Sequence, residues 1–333
     1  MKIARFSRTV SLLAVVLFLS LFLANLNAAD TLRRIPAILD SDFGDDIDDT
    51  WALGLILKSP ELDLKLVVGE YGRAQYRARL IAKFLQAVGR TDVPVGVGLD
   101  IKPDGQGPQR GWLGDYDLAS YPGKVFTNGV QALIDTIMQA KEPITLICIG
   151  PLPNIAAALQ RQPEIARRAR FVGMHGSVRA GYGGNKKVDA EWNVKADARA
   201  CQKVFTAPWW EMTITPLDTC GLANLSGDRY QRVRASEDLV AKTVIANYRA
   251  WSTDKDKNNT VADRQSSTLF DPVAVYLAFN QDLCKMERLG IRITDEGFTV
   301  IDEQAKGVNV ATEWKNLDGF RDLLVSRLTG SGK

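Results

Sequence analysis

The stretch Ile35-Pro36-Ala37-Ile38-Leu39-Asp40-Ser41-Asp42-Phe43-Gly44-Asp45-Asp46-Ile47-Asp48-Asp49-Thr50-Trp51-Ala52-Leu53-Gly54-Leu55-Ile56-Leu57 decides how this 333-residue chain folds. Five apolar residues lead into six aspartates within ten positions, and an apolar run follows. The pattern reads as a buried strand, an acidic loop and a helix. Carboxylates crowded at a strand end repel one another, and a hard cation relieves the repulsion. Oxygen ligands of this kind suit Ca²⁺ or Mg²⁺. A plain acidic loop, with Asp48 and Asp49 favoured by a helix dipole, is the simpler alternative. Carboxylates spread around a glycine turn exceed what capping needs.

Downstream, short apolar runs alternate with helical periodicity. Leu64–Val68, Val93–Val97, Ile144–Ile149, Arg170–Met174 and Trp210–Thr215 read as strands. Arg77–Val88, Val130–Ala140, Ile155–Leu159 and a segment from Pro272 to Phe279 read as helices. The alternation predicts an α/β fold, an open and mainly parallel sheet flanked by helices. Ligands in such sheets bind beyond the carboxyl ends of the strands. The aspartates, Gly150-Pro151 and Gly176 all fall on that edge.

Residues 1–29 read as a secretory signal: Lys2, Arg5 and Arg8, an apolar run from Val10 to Leu23, then small residues at Ala24, Ala28 and Ala29. The run is short for a membrane span. With no cysteine near the cleavage site, a lipoprotein is disfavoured. The expectation is an exported protein, periplasmic or secreted, without stable membrane association after cleavage. Residues 30–333 carry no linker or internal repeat and read as one domain. The full chain has 42 basic and 39 acidic residues; the leader holds three basic and no acidic ones, leaving 39 of each. That balance gives no sign of a nucleic-acid partner. Four cysteines in an exported chain permit disulfides. Cys148, inside an apolar run, reads as a core thiol, and the spacings match no zinc motif.

The acidic loop fails EF-hand grammar: the sixth and twelfth positions from Asp40 hold Asp45 and Trp51 where glycine and glutamate are needed. A phosphatase of the haloacid-dehalogenase type, with Asp40 as nucleophile, would want a small residue and Thr or Val where Phe43-Gly44 stand.

The segment Asp40-x-Asp42-x-Gly44-x-Asp46-x-Asp48-Asp49, followed by Ala52-Leu53, resembles the N-terminal signature of the inosine-uridine nucleoside hydrolases, in the variant with two extra residues after the glycine. Gly150-Pro151-Leu152-x-Asn154, then Gly184-Asn185 with Ala190-Glu191-Trp192-Asn193 and Asp197, then Asp271-Pro272-x-Ala274, match further family motifs in order. The resemblance implies an N-glycosidic-bond hydrolase acting on ribonucleosides, with Ca²⁺ as cofactor. Ca²⁺ would be held by Asp42, Asp49, Asp271 and the Ile149 carbonyl. Asp42 would be the general base toward a metal-bound water. Asp48 would hold a ribose hydroxyl, and Asn185, Glu191 and Asn193 the others. Trp192 is a candidate base contact; Asp40, Asp46 and His175 are supporting candidates. Negative charge suits the oxocarbenium-like sugar formed as the bond breaks. Members are often oligomers, so a homo-oligomer is admitted.

Two positions depart from the family. Phe270 stands where a histidine often assists the leaving base, and Arg73 where an asparagine often contacts ribose. The base would then depart with help from another donor or from aromatic stacking, with Trp51, Trp192, Tyr182, Asp263 and Arg264 as candidates. The polar stretch Asp254–Thr268 reads as a mobile lid. An exported Ca²⁺-dependent nucleoside- or sugar-binding protein without turnover is the alternative to an enzyme.

Overall fold

A computed structural model describes residues 34–101, 105–254 and 256–330; the leader reading lies outside them. Residues Ile35–Lys333 form one compact unit. The segments read as strands become β1 (Ile35–Ser41), β2 (Leu62–Gly69), β3 (Val95–Val97), β5 (Ile144–Cys148), β6 (Ala169–Met174) and β7 (Glu211–Thr215), with a two-residue β4 (Val125–Phe126) beside β3. Strands β8 (Cys284–Ile293), β9 (Thr299–Ile301) and β10 (Gly307–Trp314) complete a ten-stranded sheet in the order β4-β3-β2-β1-β5-β6-β7-β10-β8-β9. Strands β1 to β7 run parallel, and β10 joins β7 in parallel. The exceptions are β8, antiparallel to β10, and β9, antiparallel to β8. The expected open, mainly parallel sheet is therefore present.

Alternation along the strands splits the core into two layers. Leu39, Val67, Ile147 and Val172 face one side of the sheet. Helices α1 (Asp48–Leu57) and α2 (Ala74–Ala87) cover that side, with the later helices α8 (Leu239–Asp254), α9 (Phe270–Phe279) and α10 (Leu317–Thr329). Ile38, Leu66, Val68, Leu146 and Phe171 face the other, under α3 (Gly129–Gln139), α4 (Pro153–Arg161) and α6 (Ala198–Thr206). Shorter helices include α5 (Trp192–Ala196) and α7 (Gly227–Arg234). Strands fed by helices on both faces are buried on both sides, which explains why they read as apolar runs.

The chain leaves β1 toward β2 on one side and returns after β4 to β5 on the other. That reversal opens a crevice at the carboxyl ends of β1 and β5, where such sheets bind ligands. All four cysteines are free and buried, so the disulfides that the even count permitted are not formed. Among the described residues no helix is long and apolar enough to cross a membrane.

Candidate active site

A cavity of about 560 Å³ lies at that crevice, within the usual range of about 300–1,000 Å³ for small-molecule sites. Its floor comes from the loop after β1, which supplies Asp42, Asp45, Asp46, Asp48 and Asp49. Ile149 and Met174, at the ends of β5 and β6, and Asp271, in the first turn of α9, close it. Carboxylate oxygens of Asp48, Asp49 and Asp271 lie within 4.8 Å of one another, and all three residues are buried. The Asp48 carboxylate accepts the backbone N–H of Asp271 at 3.2 Å. The positive ends of α1 and α9 thus converge on the cluster, which favours anions there. Ser41 Oγ donates to Asp49 Oδ1 at 2.5 Å.

These carboxylates cannot all ionise unaided. Burial, reinforced by neighbouring carboxylates, lifts Asp48, Asp49 and Asp271 well above the ordinary range. Burial pushes Asp42 up to about 6, opposed by the Arg77 guanidinium. Three converging buried carboxylates fit a hard divalent cation, which compensates their charge and takes oxygen ligands.

Asp42 sits beside this trio, against the turn after β5. A Cβ added at Gly150 would fall 2.7 Å from Asp42 Oδ1 and 2.6 Å from Glu70 Oε1. Glycine at this turn is therefore a demand of space. Of the metal set expected from sequence, Asp49, Asp271 and Ile149 line the cavity as Asp42 does, while Asp48 completes the tight trio.

One buried arginine holds the loops together. Arg77, 1% exposed, donates to the carbonyls of Asp42, Phe43, Tyr71 and Gly72 and to the Asp45 carboxylate. Arg73 also pairs with Asp45. Tyr71, Gly72 and Arg73 all have positive φ, of 54°, 74° and 49°. For the two non-glycine residues this is strain, which the Arg77 bonds hold in place. Asn154 ties three strand ends: it donates to Asp40 Oδ1 at 2.9 Å and Gly69 O at 3.3 Å, and accepts from Leu99 N.

The opposite wall carries Glu191 and Asn193. Glu191 caps α5, accepting from the N–H groups of Asn193, Val194 and Gly176. Burial nevertheless pushes it up to about 7. Asn193 Nδ2 donates to Met174 O at 3.0 Å.

Trp192 and Tyr182 line the rim beside Phe270. Asn185 does not line the cavity: it is exposed, and its side-chain oxygen accepts from Lys187 N. Asp40 lies buried behind the floor, and Asp46 lines it. His175 is fully buried, with Nε2 3.0 Å from the Gly150 carbonyl and rings of Phe171 and Phe205 around it. Burial lowers it to about 3, so it stands neutral behind the turn.

Three leaving-group candidates are elsewhere. Trp51 packs in the core against Tyr230 and Tyr248. Asp263 pairs with Arg234 and Arg249, and neither it nor Arg264 lines the cavity. The stretch expected to be a lid is pinned at its far end, where Ser266 exchanges two hydrogen bonds with Leu225 and Leu269 N donates to Ala223. Its Asn259 does line the cavity.

Glu70, Arg77 and Trp251 were not anticipated as site residues. Glu70 is fully buried with both oxygens unpartnered beside Asp40, and burial lifts it well above its usual range. A glutamate ending the apolar run of β2 was the available signal. Trp251 Nε1 donates to the Asp45 carbonyl at 3.0 Å, an arrangement that no local pattern announces.

Comparison with known proteins agrees with this geometry. A profile described as inosine-uridine preferring nucleoside hydrolase matches residues 37–322. The chain is 29% identical to a pyrimidine-specific ribonucleoside hydrolase, RihA, of Citrobacter koseri, over 88% of this chain and 98% of that protein. It is 35% identical to a non-specific ribonucleoside hydrolase, RihC, of Klebsiella pneumoniae, over 59% and 65%. Among solved structures, the plant nucleoside hydrolase PpNRh1 superposes with TM-score 0.75 at 22% identity, covering 89% of this chain and 99% of that one. A purine-preferring ribonucleoside hydrolase from Gardnerella vaginalis superposes with TM-score 0.71 at 24% identity, covering 89% and 98%. At these identities the two superpositions speak to the fold. The profile, spanning most of the sequence, carries the assignment: the chain belongs to the inosine-uridine preferring nucleoside hydrolase family, whose members hydrolyse N-glycosidic bonds.

Proposed function

We propose that this protein hydrolyses the N-glycosidic bond of a ribonucleoside or related N-riboside with Ca²⁺ as cofactor and Asp42 as general base. The observation that carries the reading is the buried Asp48–Asp49–Asp271 trio beside Asp42 in a cavity of small-molecule size. The family is metal-dependent, and three hard oxygen donors suit Ca²⁺. Asp42, Asp49, Asp271 and the Ile149 carbonyl would hold the ion, with Asp48 beside Asp49 and Asp271 to take a ribose hydroxyl. When bound, the ion would supply Lewis acidity toward water and the sugar hydroxyls.

The remaining steps belong to side chains. Asp42 takes the proton of the attacking water, a task suited to a carboxylate raised toward neutrality. Glu191 and Asn193 orient the sugar from the opposite wall, holding C1′ toward the floor. The carboxylate floor stabilises positive charge on the ring as the C1′–N bond lengthens. The leader-like residues 1–29 support export, and mass spectrometry of the secreted chain's first residue tests it.

Base release from purines and pyrimidines, measured with Ca²⁺ and with chelator, tests the whole reading. Turnover is expected to need Ca²⁺ and to fall by about 100- to 10,000-fold in Asp42→Ala. Retention of ribose or nucleoside without base release would instead make this a binding protein.

A further inference from the structure

The rim of the cavity differs in chemistry from its floor. Tyr182, Trp192, Trp251 and Phe270 line it with rings. Tyr182 and Phe270 meet edge to face at 6.1 Å, and the Tyr182 hydroxyl accepts the backbone N–H of Trp192 at 2.9 Å. Trp192 is 52% exposed and Tyr182 43%, so both leave ring surface open to a ligand. Two further lining side chains, Ser252 and Asn259, are neutral. None of these six is an acid near neutral pH. The chain's single histidine is buried behind the Gly150 turn. Glu191 is the carboxyl of the opposite wall, and its oxygens accept from three backbone N–H groups.

With a divalent cation compensating the buried trio, the cavity also carries more carboxylates than guanidiniums. Its lining holds seven carboxylates against two guanidiniums, Arg73 and Arg77, and both guanidiniums are paired with Asp45. A bound divalent cation offsets two charges and leaves an excess of carboxylates. A recessed site of one sign focuses its potential and concentrates ligands of the other.

Building on the hydrolase reading, we infer that the preferred substrate carries a cationic leaving group: an N-riboside of the ribosylpyridinium class, whose ring nitrogen is quaternary. Water adds to C1′ and the C1′–N bond breaks with its electron pair remaining on the ring nitrogen. The ring leaves as a neutral pyridine, and the proton from water passes to Asp42 and then to solvent. No acid is required at the rim. A neutral nucleoside places the same electron pair on a base that then needs a proton, and Phe270 has none to give. The aromatic faces favour the cation over a neutral ring of equal size, by on the order of tenfold for one well-placed ring.

The test compares kcat/KM of the full mature protein, saturated with Ca²⁺, on four probes. They are 1-(β-D-ribofuranosyl)pyridinium-3-carboxamide, its uncharged 1,4-dihydro counterpart, uridine and inosine. The pyridinium riboside is expected to exceed each of the others by about 100-fold, the scale of the general acid that it dispenses with. Phe270→His is expected to raise uridine and inosine turnover by about tenfold or more, with a new pH dependence near that of imidazole. Trp192→Ala, at an exposed position that should not disturb folding, is expected to raise KM for the cation about tenfold and for uridine less. Neutral nucleosides turned over as well as the pyridinium riboside would overturn the inference and leave the hydrolase reading intact. An unchanged cation-to-neutral ratio in both variants would overturn it equally. No base release from any probe would remove the hydrolase reading and this inference with it.

Discussion

Floor and rim of the cavity are made by different means. The floor rests on helix N-termini and strand ends, and Asp48, Asp49 and Asp271 are at most 3% exposed. Arg77 and Asn154 lock its loops with bonds to seven backbone carbonyls or carboxylates. The rim is built from a glycine-rich turn around Tyr182, the start of α5 and the ends of α8 and α9. Its rings are partly open to solvent and few bonds hold them. The contrast separates two duties. On the proposed reading, a floor that handles the sugar must hold charge in fixed places, whereas a rim that meets the base can change residue by residue without disturbing the fold.

Removing a floor tie should give the largest effect. Arg77→Met leaves the Asp45 carboxylate without its buried partner and four carbonyls without a donor. A loss of about 3–5 kcal/mol in chemical denaturation is expected; a loss no larger than that of a surface substitution would erase the contrast. Next comes the pH response of the chelated protein. Burial raises Asp40 to about 7, Asp42 to about 6 and Glu191 to about 7. Folded-state values above the unfolded ones mean that the fold binds protons more tightly than the open chain. Their contribution is complete below about pH 4 and is lost as pH rises through about 6 to 7. The melting temperature without metal should therefore fall from about pH 5 to about pH 8, by on the order of 5 °C, and Ca²⁺ should flatten the slope. A rising profile in chelator would contradict the repulsion assigned to the floor. At the small end, Trp192→Ala should leave the melting temperature within about 1 °C, since the side chain is half exposed. A large drop there would make the rim as structural as the floor.

The same contrast governs what was legible beforehand. Strands β1, β2, β5 and β6 announced themselves because burial leaves apolar runs, broken only near the strand starts, as by Lys65 in β2 and Arg170 in β6. The aspartates stood out because their residue types are costly together unless something compensates them. The C-terminal hairpin did not stand out. Strand β8, Cys284–Ile293, mixes Lys285, Glu287, Arg288 and Arg292 with its apolar residues because much of it faces solvent. Helix α8 was hidden by the polar stretch that follows it. Asn185 was drawn toward the site by its motif, but its turn points it outward. Asp263 was assigned to the base by its sequence neighbourhood, and two arginines from α7 and α8 claim it instead. Arg77 acts through bonds between segments, and sequence spacing carries no trace of such bonds.

The bond between Asp48 and Asp271 spans 223 positions. During synthesis the first two members of the trio emerge early, and the third follows after most of the chain. Until Asp271 arrives, the early aspartates form an open acidic loop with little hold on an ion. Tight ion capture would thus report that the last third of the polypeptide has docked, and a nascent chain would be both ion-poor and inert. Closing so long a loop is slow relative to local contacts, so acquisition of the ion should coincide with the final step of maturation.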